Sequence, residues 1–546
     1  MDSGRTARHL AWLAALTLAL HLPFLNQAFH MDDVNYLDIA QNVFIKPIFP
    51  LDRPYVFEGQ HVTMWGHTHP PLNSYFLAAL LALSGRTPSE PLLHAAYLAF
   101  PLLAVVSFYF IARRFVCAPL LASVIFLYVP AFQVMAHTLM TDAPFLSFWL
   151  AATALFLAGL DADDARLLRA ALVPLCAAIF LAYQGLALVP LLALAAFLRR
   201  KLNARVAWLL ALPALLLIAW QFAGFLYRGA SSSSTLFGYA KTMGWGRLST
   251  VLPNAVMTQV YLGGTILFFP FLIAGFGRSR GAPQSALGGL AIGIGFSQVG
   301  LRDYTPEQQL FFVLCFTGAF TATSCMILGA WRAARSATRD SDTLFLSLWY
   351  LGVLFYSTLM FFSASARYLL PAAPPLILLM FRALGQGPDG SPVPRRFYGA
   401  LLAAQLLLGL ALSNADYEFA GTYRNAAQYF RQTRLPVGGT FHFTGEWGFR
   451  YYHSALGGRI LAEDSTAAPG ELVVKSRLCL SRDFANAPGR SLTLVERRTY
   501  RVDSPFRLLD QRVKAGFWSD GWGVLPFWFA REPLDEISVY RVESSP

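Results

Sequence analysis

From the N-terminus to about residue 413 the chain alternates long apolar runs with short polar loops, and beyond that point no run is long enough to cross a bilayer. The pattern predicts a first span at 11–28 and further spans near 91–112, 118–138, 144–160, 206–226, 257–277, 282–300, 308–330, 343–362, 368–384 and 397–413. The apolar stretch at 72–83 is too short to cross, so it reads as an interfacial or re-entrant helix inside a long outer loop, 29–90. Segment 170–198 carries basic residues at both ends and Gln184-Gly185 in its middle; two short helices meeting at that break satisfy both flanks. The count is then about thirteen spans. An odd count puts the two termini on opposite faces.

The fold class expected is therefore a polytopic α-helical membrane domain, 1–414, followed by a small soluble α/β domain, 415–546. In the second domain, short runs at 471–475, 492–495 and 537–542 predict strands, and segments near 425–432 and 447–454 predict helices. The aromatic stretch Phe517-Trp518-Ser519-Asp520-Gly521-Trp522-Gly523, followed by Pro526-Phe527-Trp528-Phe529, suits core packing, with sugar stacking or headgroup contact as alternatives.

Composition agrees with this division, since 55% of residues are hydrophobic and only 14% charged. A net charge of +12 invites a nucleic-acid reading, but the basic residues of the membrane domain sit in short loops rather than along one face. Arg5/Arg8, Arg113/Arg114, Arg166/Arg169, Arg199/Arg200/Lys201, Arg278/Arg280, Arg332/Arg335/Arg339 and Arg395/Arg396 mark the cytoplasmic ends of spans, so no nucleic-acid partner is expected. The N-terminus is then cytoplasmic and the C-terminal domain lies outside, periplasmic if the membrane is a bacterial inner membrane. The first run lacks a clear small-x-small cleavage site and reads as a signal anchor. Of five cysteines only Cys479 falls in the outer domain, so no disulfide forms within it. There is no zinc cluster, phosphate-binding glycine loop, heptad or internal repeat.

Acidic residues gather at the outer face. Asp32 and Asp33 follow the first span and Asp142 opens another, in places where a carboxylate beside hydrocarbon calls for a functional explanation. Each also has a plain structural reading, because Asp33 is placed to cap the helix after it, and Thr141 or Asp142 the span that Pro144 opens. Arg367, an outer-face arginine at a span end, either snorkels to headgroups or offers a bidentate site for a phosphate; Arg247 and Lys241 stand in another outer loop.

Taken in order, His30-Met31-Asp32-Asp33-Val34-Asn35-Tyr36, then His67-Thr68-His69-Pro70-Pro71-Leu72, Thr141-Asp142-Ala143-Pro144 and Arg367-Tyr368-Leu369-Leu370-Pro371 resemble the outer-face motifs of GT-C membrane glycosyltransferases. The resemblance is to the superfamily of protein O-mannosyltransferases and lipid A aminoarabinose transferases. It implies transfer of a sugar from a polyprenyl phosphate donor to a lipid, glycan or protein acceptor at the outer face. It implies catalytic roles for Asp32, Asp33 and Asp142, donor-phosphate contacts from His69, Arg367, Arg247 and Lys241, and substrate contacts from Tyr36, His67 and Tyr368. Asp32 matches the family's catalytic aspartate. The aminoarabinose branch has lysine where this chain, like the mannosyltransferases, has His69, which leaves both the phosphate ligand and the sugar open. A divalent metal bridging Asp32 and Asp142 is chemically reasonable, but relatives differ on it and none is predicted. The rival reading is a transporter or flippase of a lipid-linked sugar, which the span count and the broken helix suggest. Such proteins carry polar groups near the bilayer midplane and usually show related halves; here the acids lie at one face and no halves are visible.

Overall fold

The computed structural model of the chain describes residues 3–242, 244–277, 279–335, 340–361, 363–385, 395–434, 440–482 and 490–544. Arg278 and Arg339, and the side chains of Arg395 and Arg396, lie outside the described residues.

Among the described residues six helices are long and apolar enough to cross a membrane: Glu90–Phe115, Asp142–Ala162, Ala204–Arg228, Pro306–Arg335, Ser341–Leu359 and Gly399–Thr433. A seventh crossing is possible on the same criteria for the pair Ser249–Ile266 and Phe269–Phe276, bent by 93°. The other expected spans fall on shorter or interrupted helices, Ser3–His21, Pro119–Leu127 with Pro130–Met135, Leu172–Leu181 with Leu188–Leu198, Ala282–Gly300 and Ala373–Ala383. Proline explains one interruption directly, because Pro130 has no N–H to continue the ladder of the helix before it. The break expected at Gln184-Gly185 is present, and glycine is needed there: a Cβ at Gly185 would lie 2.6 Å from the Ala178 carbonyl oxygen.

The sharp bend at 266–268 leaves backbone groups unpaired in an apolar setting, where each unmet group is costly. A single polar side chain of the last long helix meets two of them. Gln405, fully buried, donates from Nε2 to the Ile266 carbonyl at 3.0 Å and accepts from the Phe268 N–H at 3.2 Å. Gln405→Leu orphans both, so we expect it to cost about 2 kcal/mol or more, read as a fall of several degrees in the thermal midpoint of the detergent-solubilised protein. An unchanged midpoint would show that the bend does not depend on this side chain.

Two of the basic loops, with Arg382, meet acidic partners at one end of the bundle. Arg114 and Arg199 both pair with Asp161, Arg199 also with Asp342 at 3.4 Å, Lys201 with Asp163 at 2.7 Å and Arg382 with Asp340 at 2.9 Å. The helix Asp142–Ala162 connects that end to the other, and its 21 residues rise about 30 Å, one hydrocarbon thickness. The C-terminal region packs at the Asp142 end, against the first outer loop. Its mixed five-stranded sheet runs in the order Arg459–Ile460, Phe441–Thr444, Leu472–Ser476, Asp535–Ser544, Arg490–Tyr500; the first three strands are parallel and the last two join antiparallel. These strands contain the runs expected at 492–495 and 537–542 and overlap the one expected at 471–475, and the helix Trp447–Ala455 matches the one expected at 447–454. The separate helix expected near 425–432 is instead the end of one continuous helix, Arg395–Thr433. No proline interrupts residues 398–433, and Gly421 alone does not stop it.

Candidate active site

Three chain segments far apart in sequence bring Asp32, Asp142 and Arg367 together at the end of the bundle that faces the C-terminal region. Met31 adopts a left-handed conformation, φ +46°, immediately before Asp32, a costly turn for a residue with a Cβ. Asp32 is the N-cap residue of the helix Asp33–Val43, yet its side chain makes no capping hydrogen bond. It accepts from Arg367 Nη2 at 3.2 Å instead. Thr141 likewise precedes the helix Asp142–Ala162 without capping it; its hydroxyl lies 3.2 Å from the Tyr36 hydroxyl and 3.4 Å from His69 Nδ1. Asp142 Oδ2 is 3.7 Å from Arg367 Nη1. Arg367 stands on the tight turn Ala366–Ala372, its guanidinium 5.0 Å from the centre of the Tyr368 ring and 3.3 Å from that hydroxyl. Tyr368 in turn stacks on Phe361 at 3.8 Å. The capping reading of Thr141 is thus not the one the geometry adopts.

Exposure separates the three. The Asp32 side chain is 32% exposed, Arg367 11% and Asp142 5%, so Asp32 is the accessible carboxylate of the pair and Asp142 the buried one. The Arg367 guanidinium lies between the two carboxylates. It also stands where an ion bridging both acids would have to sit, so the donor set fits a bridging metal only if Arg367 moves. Among the described residues no three His, Cys, Asp or Glu side chains are grouped to hold a metal.

His67 and His69 lie beside the same cluster, with the Tyr36 ring 5.2 Å from His67 and His69 Nδ1 near the Thr141 hydroxyl. Burial lowers the pKa of both imidazoles, and Arg367 nearby lowers both further. They are neutral hydrogen-bonding groups at neutral pH and supply no charge. Burial raises the Tyr36 hydroxyl, which stays protonated. Asn35 completes the rim, its amide 3.5 Å from Asp32 and held by the Tyr55 hydroxyl at 2.7 Å.

Asp33 points the other way. It is fully buried, accepting the Leu139 N–H at 2.8 Å and the His30 N–H at 3.3 Å, so it ties the first outer loop to the turn before Thr141. Lys241 and Arg247 are exposed, and among the described residues no hydrogen bond or ion pair joins either to the cluster.

Behind Asp33 lies a buried network that sequence reasoning missed. His30 is 3.4 Å from Asp33 and 2.7 Å from Asp416, on the long helix Arg395–Thr433. The signal was available, because Asp416 closes the last apolar run as Asp32 follows the first. Burial by itself lowers the pKa of His30, but Asp416 and Asp33 outweigh it and raise it to about 10. The other titratable groups facing it are His94 and His137. A raised histidine pKa contributes stability that is complete below the unfolded value, about 6.5, and is lost as pH climbs through the folded one. The thermal midpoint is therefore expected to fall between about pH 6.5 and about 10, and to fall at lower pH in Asp416→Asn. Identical profiles for the two proteins would refute the coupling.

Comparison with known proteins adds three findings. Residues 68–222 match the model of the family described as dolichyl-phosphate-mannose-protein mannosyltransferase. No curated protein matches the chain. Among solved structures, the S. cerevisiae protein O-mannosyltransferase Pmt1-Pmt2 complex bound to the sugar donor is 17% identical, covering 43% of this chain, with a TM-score of 0.34; this chain spans 35% of that one's length. ArnT from Cupriavidus metallidurans bound to undecaprenyl phosphate is 13% identical over 87% of this chain and 94% of that one, TM-score 0.40. The oligosaccharyltransferase AglB from Archaeoglobus fulgidus, in complex with an inhibitory peptide and a dolichol-phosphate, is 13% identical over 86% and 69%, TM-score 0.48.

Proposed function

The chain resembles the GT-C membrane glycosyltransferases, with residues 68–222 matching a mannosyltransferase family among them, and on that premise we propose that it transfers a sugar from a polyprenyl phosphate donor to an acceptor hydroxyl at the face carrying Asp32, Asp142 and Arg367. One observation carries the reading: the accessible Asp32 and the buried Asp142 share Arg367, within 3.2 and 3.7 Å. Asp32 takes the proton of the acceptor hydroxyl as its oxygen attacks the anomeric carbon. The bond from that carbon to phosphate breaks, its electron pair staying on the phosphate oxygen. Arg367 and a hydrogen bond from His69 meet the growing negative charge there. Asp142 holds Arg367, while Tyr36, His67 and Tyr368 border the space left for sugar and acceptor.

A place for the donor's hydrocarbon chain supports the same reading. An open apolar cavity of about 490 Å³ is lined by Pro71, Leu72, Tyr75, Cys176, Phe180 and Trp220. Pro71 is two residues from His69 in the chain, and this cavity is the place we assign to the lipid tail. The acceptor is a lipid, glycan or protein. We place the protein in a bacterial inner membrane, its N-terminus cytoplasmic and its C-terminal domain periplasmic.

The test is transfer of radiolabelled sugar from a panel of polyprenyl phosphate sugars by the purified protein in detergent, with total bacterial membranes as acceptor. Label moved into a membrane component supports the proposal and identifies the acceptor. Donor that is bound but recovered intact, or carried across reconstituted vesicles without a new glycosidic bond, overturns it in favour of transport.

A further inference from the structure

A short stretch of the C-terminal region grips both the buried network and the segment that carries Arg367. Asp416, with its side chain 1% exposed, receives hydrogen bonds on one oxygen from Gln27 at 3.0 Å and His30 at 2.7 Å, and on the other from the indole N–H of Trp518 at 3.3 Å. The neighbouring Phe517 carbonyl accepts the Ala366 N–H and the Ser365 hydroxyl, each at 3.1 Å, and the Asp520 N–H donates to the Ala364 carbonyl at 3.1 Å. Phe517 and Trp518 are themselves buried. Residues 364–366 are thus held by the C-terminal region immediately before the arginine that stands between Asp32 and Asp142.

We propose that residues 517–520, seated on Asp416, are a positioning element of the active site: the C-terminal region holds the Arg367 turn at the distance from Asp32 that catalysis needs, with Trp518, Ser365 and Asp416 as positioning residues. The proposal rests on the transferase reading of the Asp32, Asp142 and Arg367 cluster. Two further contacts act on the opposite side of the same gap. Arg450, on the helix Trp447–Ala455, lies 3.7 Å above the Tyr55 ring, and Tyr55 holds Asn35 beside Asp32. The C-terminal region therefore reaches the segments on both sides of the Asp32–Arg367 contact, one through Phe517 and one through Arg450. A misplacement of about 1 Å in a reacting geometry costs about a hundredfold in rate, so loss of these contacts slows turnover without removing any reacting group.

Trp518→Phe keeps the buried ring and removes its N–H; Ser365→Ala removes one hydroxyl. Neither leaves a cavity large enough to unfold the protein, and thermal midpoints in detergent check this. Two readouts are taken on full-length protein: kcat and donor KM for sugar transfer, and labelling of Arg367 by phenylglyoxal, followed by peptide mass spectrometry. In wild type Arg367 is expected to label slowly, being 11% exposed. The double variant is expected to label several-fold faster and to lose at least tenfold in kcat with its midpoint kept. Reverting position 518 to tryptophan restores most of both. Wild-type labelling and wild-type kcat in the double variant overturn the proposal, as does a loss of kcat matched by an equal loss of folded protein. If the wild type transfers no sugar from any donor while Arg367 labelling still rises in the variant, the transferase reading fails and the positioning contact stands.

Discussion

Asp32→Asn is expected to reduce sugar transfer by about 10²- to 10⁴-fold, the usual contribution of a positioned general base, while expression, membrane insertion and thermal midpoint stay near wild type. The second half of that expectation follows from geometry. The Asp32 carboxyl caps nothing and is 32% exposed, so an isosteric amide leaves the helix Asp33–Val43 and its packing as they are. Its neighbour has the opposite dependence. Asp33 is fully buried and accepts from Leu139 and His30, and breaking such a buried pair costs about 3–5 kcal/mol. Asp33→Asn should therefore appear as lost folded protein, with whatever remains folded still active. Assaying the two variants side by side, with specific activity per folded molecule, separates the roles. Near-normal transfer by Asp32→Asn would remove that residue from the mechanism.

Arg367→Gln is expected to cost transfer about 10²- to 10³-fold, comparable to losing a preorganised donor to a developing oxyanion, and to raise the KM for donor. Two effects act together. The phosphate loses its cationic partner, and Asp32 and Asp142 lose the cation that lies between them. Arg367→Lys retains charge but not the planar fork that reaches both carboxylates at 3.2 and 3.7 Å. Its activity should lie between the other two. Wild-type kinetics in the glutamine variant would mean that the arginine only holds the two loops together.

Much of this site was legible because membrane proteins punish misplaced charge. Asp32, Asp142 and Arg367 stand out where apolar runs end, and the structure brings all three within ion-pair distance. The break at Gln184-Gly185 was legible for a related reason, since basic flanks on both ends of one apolar segment require a reversal. What could not be read was direction. Asp32 and Asp33 are chemically alike and adjacent, and the turn at Met31 decides which faces Arg367 and which is buried. Lys241 and Arg247 had the same charge and expected face as Arg367, but only tertiary packing tells which cation meets the acids. Gln405 looked like an unremarked polar residue in an apolar run until the bend it serves, 139 positions earlier in the chain, was in view.

The continuous helix Arg395–Thr433 changes how the chain can be cut and recombined. A membrane part and an outer part divided at residue 414 would separate Asp416 from the last apolar run while severing a helix in mid-course. Chimeras between this protein and a relative should for that reason exchange the whole helix together with the sheet that follows, and carry the partners of Asp416 at Gln27 and His30 along with it. An exchange made at the hydropathy boundary would join two well-formed halves across a mismatched buried charge.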